Sequence, residues 1–147
     1  HMLLGTVYDM QKKFDLSEKH YREALKIQPD FAPAANNLAY LLASQDREID
    51  VALGLAQQAR EKLPDDPGVM DTLGWIYYKK GLYDSAIREL SGSLEKLKGN
   101  PTVHYHLGIA HYKKGNLKLA KRELKTAINT NQQFEGMDEA KRILQEM

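Results

Sequence analysis

Apolar, small and polar positions return along this chain at a nearly fixed interval. The segment DTLGWIYYKKG occupies residues 71 to 81, and YHLGIAHYKKG occupies residues 105 to 115. Leu-Gly, an aromatic and Lys-Lys-Gly come back in the same order, 34 residues later. The correspondence extends outward to Pro67 and Pro101, Ala86 and Ala120, Leu90 and Leu124. Leu4-Gly5 and Leu38-Ala39 carry the Leu-Gly series upstream, and the second copy holds one extra residue, placed within residues 45–50. Ala24, Ala59, Ser93 and Ala127 form a small-residue series, and Pro29 and Pro64 a third. Self-similarity at such a period marks a stack of supersecondary units, each unable to bury its apolar face alone.

Local signals predict where helices begin and end. Asp66-Pro67 and Asn100-Pro101 supply an N-cap followed by proline at the first helical position. Asp15 to Glu18 reads as a capping box with an aspartate cap. Gly81 and Gly115 are placed to take the left-handed conformation that ends a helix. Small residues such as Ala24, Ala86 and Ala120 let neighbouring helices approach, while Leu and aromatic positions fill the space between them. Near the C-terminus, Met137, Ala140, Leu144 and Met147 fall on one helical face, backed by polar residues, as a solenoid cap requires. At the other end Leu3, Leu4 and Val7 are expected to be partly exposed or to meet an upstream repeat.

These motifs resemble the tetratricopeptide repeat (TPR), with its unit of about 34 residues and pattern W-x2-L-G-x2-Y…A-x3-F…P. The first unit carries Leu4, Gly5, Tyr8, Ser17, Tyr21 and Pro29, and the second Leu38, Ala39, Leu42, Ala52, Ala56 and Pro64. The third carries Leu73, Gly74, Tyr77, Ala86 and Leu90, and the fourth Leu107, Gly108, His111, Ala120 and Leu124. The leading aromatic is replaced by His1, Ala35, Met70 and His104, and the terminal proline by Lys98 and Gln132 in the last two units. The resemblance implies an all-α fold: a right-handed solenoid of antiparallel helix pairs, A then B. One domain is expected over 1–147, with repeats near 1–31, 32–66, 67–100 and 101–134 and a capping helix near 135–147.

Composition narrows the functional classes. Lys and Arg number 21 against 20 Asp and Glu, which leaves no basic footprint for nucleic acid or an anionic membrane. No apolar run approaches the roughly 18–20 residues of a membrane span. With no cysteine, thiolate catalysis, disulfides and Cys-based metal sites are excluded, and an oxidising or a reducing compartment fits equally. His1-Met2 looks like a cloning remnant and no signal peptide follows, so a fragment of a longer protein is expected. The style of the repeats is similar to prokaryotic TPR arrays, including envelope-associated ones.

No Gly-rich phosphate loop, nucleophile elbow or other catalytic constellation is present, so no enzymatic activity and no cofactor are expected. His104 and His106, two apart, diverge on a helix, and His104 and His111 take the places of repeat-core aromatics, so no metal site is expected of the three. Lys80 and Lys114 suit the C-terminal ends of helix dipoles, while Lys79 and Lys113 fall at the rim of the groove.

The resemblance also implies that a peptide lies on the concave face, which the A helices line. The residues flanking each Leu-Gly step are then the candidates. They are Asn36, Asn37, Tyr40 and Ser44 in the second unit, and Asp71, Thr72, Trp75, Tyr78 and Lys79 in the third. The fourth contributes Tyr105, His106, Ile109, Tyr112 and Lys113, and the first Thr6 and Met10. Tyr and Trp suit recognition because they offer large area, few rotamers and a polar tip. Trp75 and Tyr105 face either the groove or the packing between repeats. A clamp for the C-terminal carboxylate of chaperone tails is not expected. Its five positions fall on Met2, Thr6, Asn37, Gly68 and Thr72 in one register, and on Asn36, Tyr40, Thr72, Thr102 and His106 in the next. Only Asn37 matches. The leading expectation is a non-enzymatic scaffold for a peptide or partner helix. The alternative is an assembly module that self-associates through its solenoid ends.

Overall fold

The computed structural model describes residues 1–147 and contains nine α-helices and no strand. Four pairs follow one another: α1 (Met2–Met10) with α2 (Phe14–Ile27), α3 (Ala32–Ser44) with α4 (Ile49–Lys62), α5 (Pro67–Lys79) with α6 (Tyr83–Lys96), and α7 (Pro101–Lys114) with α8 (Leu117–Asn129). A final helix, α9 (Met137–Glu146), packs on α8 and α7. Two to four residues join the helices within a pair, which makes them antiparallel neighbours. The second helix of each pair leans on the first helix of the next, and α3, α5 and α7 also touch one another as an inner layer. The expected all-α solenoid of helix pairs is the fold. No helix is long and apolar enough to cross a membrane.

Close approach within a pair explains the Leu-Gly step. A methyl group on Gly74 would sit 2.6 Å from Leu90 Cγ, and one on Gly108 2.8 Å from Leu124 Cγ. At Gly5 it would meet the Tyr21 ring at 2.6 Å. In each case a large residue of the second helix fills the space the glycine leaves. In the second pair both positions are alanine, Ala39 and Ala56, and both are fully buried. Ser17, Ala52, Ala86 and Ala120 form a fully buried small-residue row on the second helices. Hydroxyls in such rows are satisfied, as burial requires: Ser17 Oγ donates to the Gly5 carbonyl at 3.0 Å and Ser93 Oγ to the Pro67 carbonyl at 2.7 Å.

The turns within pairs use one left-handed residue at an equivalent position: Lys12, Asp46, Gly81 and Gly115, with φ of 60, 53, 80 and 96°. The extra residue of the second unit lies just after Asp46, and there Glu48 is also left-handed, at φ 47°. Asp66 and Asn100 cap as expected, each accepting two backbone N–H groups. Asp15 does not cap. The left-handed Lys12 turns the chain so early that α2 already begins at Phe14, and Asp15 sits inside its first turn. Lys80 and Lys114 also do more than face a helix end. Each pairs with the aspartate in the first turn of the preceding unit's second helix, Asp50 and Asp84. On α9 the buried face is Ala140 and Ile143 with Leu144 against the core, and Met147 is exposed, one step off the predicted stripe.

Two substitutions separate packing from helix propensity. Gly74→Ala is expected to destabilise by about 1–3 kcal/mol, because overpacking outweighs the gain in propensity. Leu90→Ala added to Gly74→Ala is expected to cost less than the ~2–5 kcal/mol of a buried Leu→Ala change alone, because the new methyl group fills part of the space the leucine leaves. Gly54→Ala, at a mid-helix site where an added methyl meets nothing within 4 Å, is expected to stabilise by about 0.5–1 kcal/mol. Urea unfolding followed by helical circular dichroism measures all three.

Candidate functional site

Three successive first helices bring aromatic side chains to one place. Tyr40 and Ser44 come from α3, Trp75, Tyr78 and Lys79 from α5, and Tyr105 and His106 from α7. With Glu135, Gly136 and Glu139 they line a cavity of about 280 Å³. The position that is Tyr40 in α3 is Trp75 in α5, one repeat apart, so the solenoid register itself stacks them. Trp75 lies parallel to Tyr78 with ring centroids 4.8 Å apart, and to His106 at 4.0 Å. Tyr105 tilts against Trp75 at 6.1 Å and against Phe134 at 5.6 Å. Trp75, with 8% of its surface accessible, therefore does two jobs: it packs between repeats and it walls the cavity.

The polar tips are held. His106 is 2% exposed, and its Nδ1 lies 2.7 Å from Asp71 Oδ1. The Tyr105 hydroxyl donates to Glu139 at 2.9 Å. Lys79 Nζ sits 2.9 Å from Asp46 and 4.9 Å from the centroid of the Trp75 ring, a cation over an aromatic face. Burial, then the charges of Asp71 and Glu135, push the Tyr40 phenol well above the ordinary tyrosine range. Burial and the bond to Glu139 do the same to Tyr105. Tyr78 is pushed up to about 12 by burial, then by the charge of Glu139.

Other expected residues lie elsewhere. Asn36 donates to Asn37 at 3.3 Å, while its own Oδ1 is buried without a donor. Asn37 reaches the Met2 sulfur at 4.0 Å. Thr72 is buried and donates to the Gly68 carbonyl of its own helix at 3.0 Å, so it offers nothing to a ligand. Ile109 occupies the Trp75 position of α7 but is 1% exposed, because α9 closes over it with Ala140 and Ile143. Tyr112 is half-buried against the core and Lys113 is exposed, both outside the cavity. Thr6 donates to the Met2 carbonyl, and Met10 is exposed at the solenoid end. The remaining histidines separate: His104 Nδ1 lies 2.6 Å from Glu123, and His111 Nδ1 lies 3.2 Å from Asn116.

The cavity's fourth wall was not expected. Residues 130–136 leave α8 and cross the end of α7, placing Glu135 and Gly136 against Tyr105. A methyl group on Gly136 would lie 2.3 Å from Tyr105 Cζ, and its φ is 99°, so glycine is required there twice over. The isolated glycine before α9 was the one signal in the sequence.

Stacked helix pairs around a shared inner layer define this chain as a helical-repeat solenoid. Tetratricopeptide repeat profiles match residues 2–67 and 101–134, and a TPR repeat profile matches 74–115. The chain belongs to the tetratricopeptide-repeat family, whose fold is generally a non-enzymatic scaffold for protein–protein interaction. It is similar to a TPR repeat-containing protein of Pseudomonas aeruginosa, 37% identical over 86 residues, which are 57% of this chain and 15% of that protein. The matched region is thus a small part of that relative's length. Among solved structures, MamA of Desulfovibrio magneticus RS-1 has a TM-score of 0.73 at 16% identity, covering 88% of this chain and 73% of that one. YrrB, described as a TPR protein with an unusual peptide-binding site, has a TM-score of 0.69 at 21% identity, covering 86% and 64%. At these identities the likeness is one of fold.

The raised phenols make stability sensitive to alkali. A group whose folded pKa is raised contributes stability that is intact below its unfolded value, about 10 for tyrosine. That stability is lost as pH rises through the folded value, about 12 for Tyr78. Tyr78→Phe and Tyr105→Phe should therefore each lose less stability than the parent between about pH 9 and about pH 12. Denaturant midpoints across that range test this, with Tyr8→Phe as the comparison.

Proposed function

We propose that this chain is a protein-interaction module that takes a peptide segment or a partner helix in the cavity of its inner helices, without catalysis. One observation carries the reading: hydrogen-bonding aromatics from three consecutive repeats converge on one partly closed space. Rigid rings lose little entropy on binding, and the Tyr105 hydroxyl and the His106 ring are already held, which is what concentrated binding energy requires. Affinity then comes from Tyr40, Trp75, Tyr78 and Tyr105. Asp71 and His106 hold the rings in place. The peptide-binding site described for YrrB supports the same use of the fold. A chaperone-type carboxylate tail is disfavoured, since the cavity wall carries Glu135 and Glu139 against a single lysine.

Binders selected from a random peptide library test this, with Trp75 emission as the reporter. A saturable spectral change is expected, and Tyr105→Ala should weaken binding about tenfold or more. Tight binding with no Trp75 response and no loss in Tyr105→Ala would move the site off this face.

A second reading rests on the exposed apolar row of α1, where Leu3 and Met10 are each 76% exposed beside Leu4 and Val7. A row of this kind is a contact surface for another solenoid end. Self-association through it is expected to appear as a mass that rises with concentration in sedimentation and returns to the monomer in Leu3→Glu. A parent chain that stays monomeric at all concentrations removes this reading.

A further inference from the structure

The charge around the cavity is mostly negative, with Lys79 the one lysine in its wall. Glu135 and Glu139 line it, Asp71 holds His106 at its floor, and Asp46 stands beside Lys79 at its rim. Asp9, on the first helix of the stack, has its pKa raised mainly by burial, and the charge of Glu135 adds to this. The chain as a whole is close to neutral, with a formal charge of +1. The acidic character is local to the inner surface.

These carboxylates are unequally satisfied. Asp46 has Lys79, Asp71 has His106, and Glu139 has the Tyr105 hydroxyl with Arg142 at 3.7 Å. Glu135 makes no hydrogen bond or ion pair with any side chain, and it is an exposed residue lining a space walled by four aromatic rings besides His106. Lys79 already shows what this environment accepts: its ammonium rests over an indole and against a carboxylate. An aromatic wall beside an unpaired carboxylate, Glu135, favours a flat cation, which can stack on rings and make paired hydrogen bonds to a carboxylate. The volume, about 280 Å³, suits one side chain, since sites for drug-sized ligands run from about 300 to 1,000 Å³.

Resting on the peptide-binding reading above, we propose that the cavity is the pocket for an arginine side chain of the partner peptide, with Glu135 and Glu139 receiving its guanidinium and Tyr40, Trp75 and Tyr105 enclosing it. Lysine enters the same pocket more weakly, because an ammonium neither stacks nor bonds in pairs. Glutamate and neutral side chains are excluded or indifferent.

The direct test titrates the isotopically labelled chain with N-acetyl-arginine amide and follows amide and indole resonances. The expected result is a saturable shift at the Trp75 indole and the Gly136 amide. N-acetyl-citrulline amide, the neutral isostere, should bind at least tenfold more weakly. The doubly substituted Glu135→Gln, Glu139→Gln chain should also bind the arginine probe at least tenfold more weakly. Both glutamates are exposed and glutamine still accepts from Tyr105, so that variant keeps its fold, which its spectrum verifies. Equal shifts from citrulline and arginine, no saturable shift at these two resonances, or unchanged affinity in the double variant would each overturn the proposal. Library peptides that bind in a Tyr105-dependent way without enrichment in arginine would leave the peptide-binding reading standing and remove this one.

Discussion

Everything in this molecule depends on how near two helices of a pair can come. At Gly74 and Gly108 there is no room for even a methyl group, because Leu90 and Leu124 occupy the space. That contact fixes the rotation of each first helix about its axis. The rotation decides which side chains face the inner layer. Once it is set, every step of one repeat brings an equivalent residue to an equivalent place. Tyr40 in α3 and Trp75 in α5 are neighbours in the cavity for this reason, although they are far apart in sequence. The aromatic cavity is thus a consequence of packing a few residues away from it.

The same register continues into α7, where the equivalent of Trp75 is Ile109. Helix α9 closes over it with Ala140 and Ile143. The segment before α9 crosses the end of the groove and turns it into a partly closed cavity. One piece of chain both packs on the last helix pair and walls the aromatic cavity. The cost is a glycine at 136, held left-handed against the Tyr105 ring.

The periodic features were legible in the sequence because each is stated several times. The Leu-Gly step, the proline-marked starts of α5 and α7 and the glycine turns at Gly81 and Gly115 recur, so each copy supports the others, whereas the left-handed Lys12 and Asp46 carry no glycine to announce them. Tyr40, Trp75, Tyr78, Lys79, Tyr105 and His106 were readable as one inner face by the same logic. What repetition could not supply was anything said once. Glu135, Gly136 and Glu139 belong to no repeat, and their place in the cavity follows from the path of the tail over α7. Thr72 shares a repeat position with His106, yet its hydroxyl is short enough to bond back to its own helix, and it does. Asp15 satisfied a capping motif, but the turn geometry set by Lys12 began the helix one residue before it.

In the proposed function, the wall supplied by the segment before α9, with Glu135 and Gly136, and the aromatic inner face act together on a bound partner. Hydrogen exchange of the chain, with and without a library-selected peptide, tests this most directly. Amides of the helices are protected already, whereas those of the tail segment are largely free of backbone partners. Peptide binding is predicted to slow exchange in residues 131–136 more than anywhere else. Slowing confined to α1, or to the outer faces of α4, α6 and α8, would contradict it.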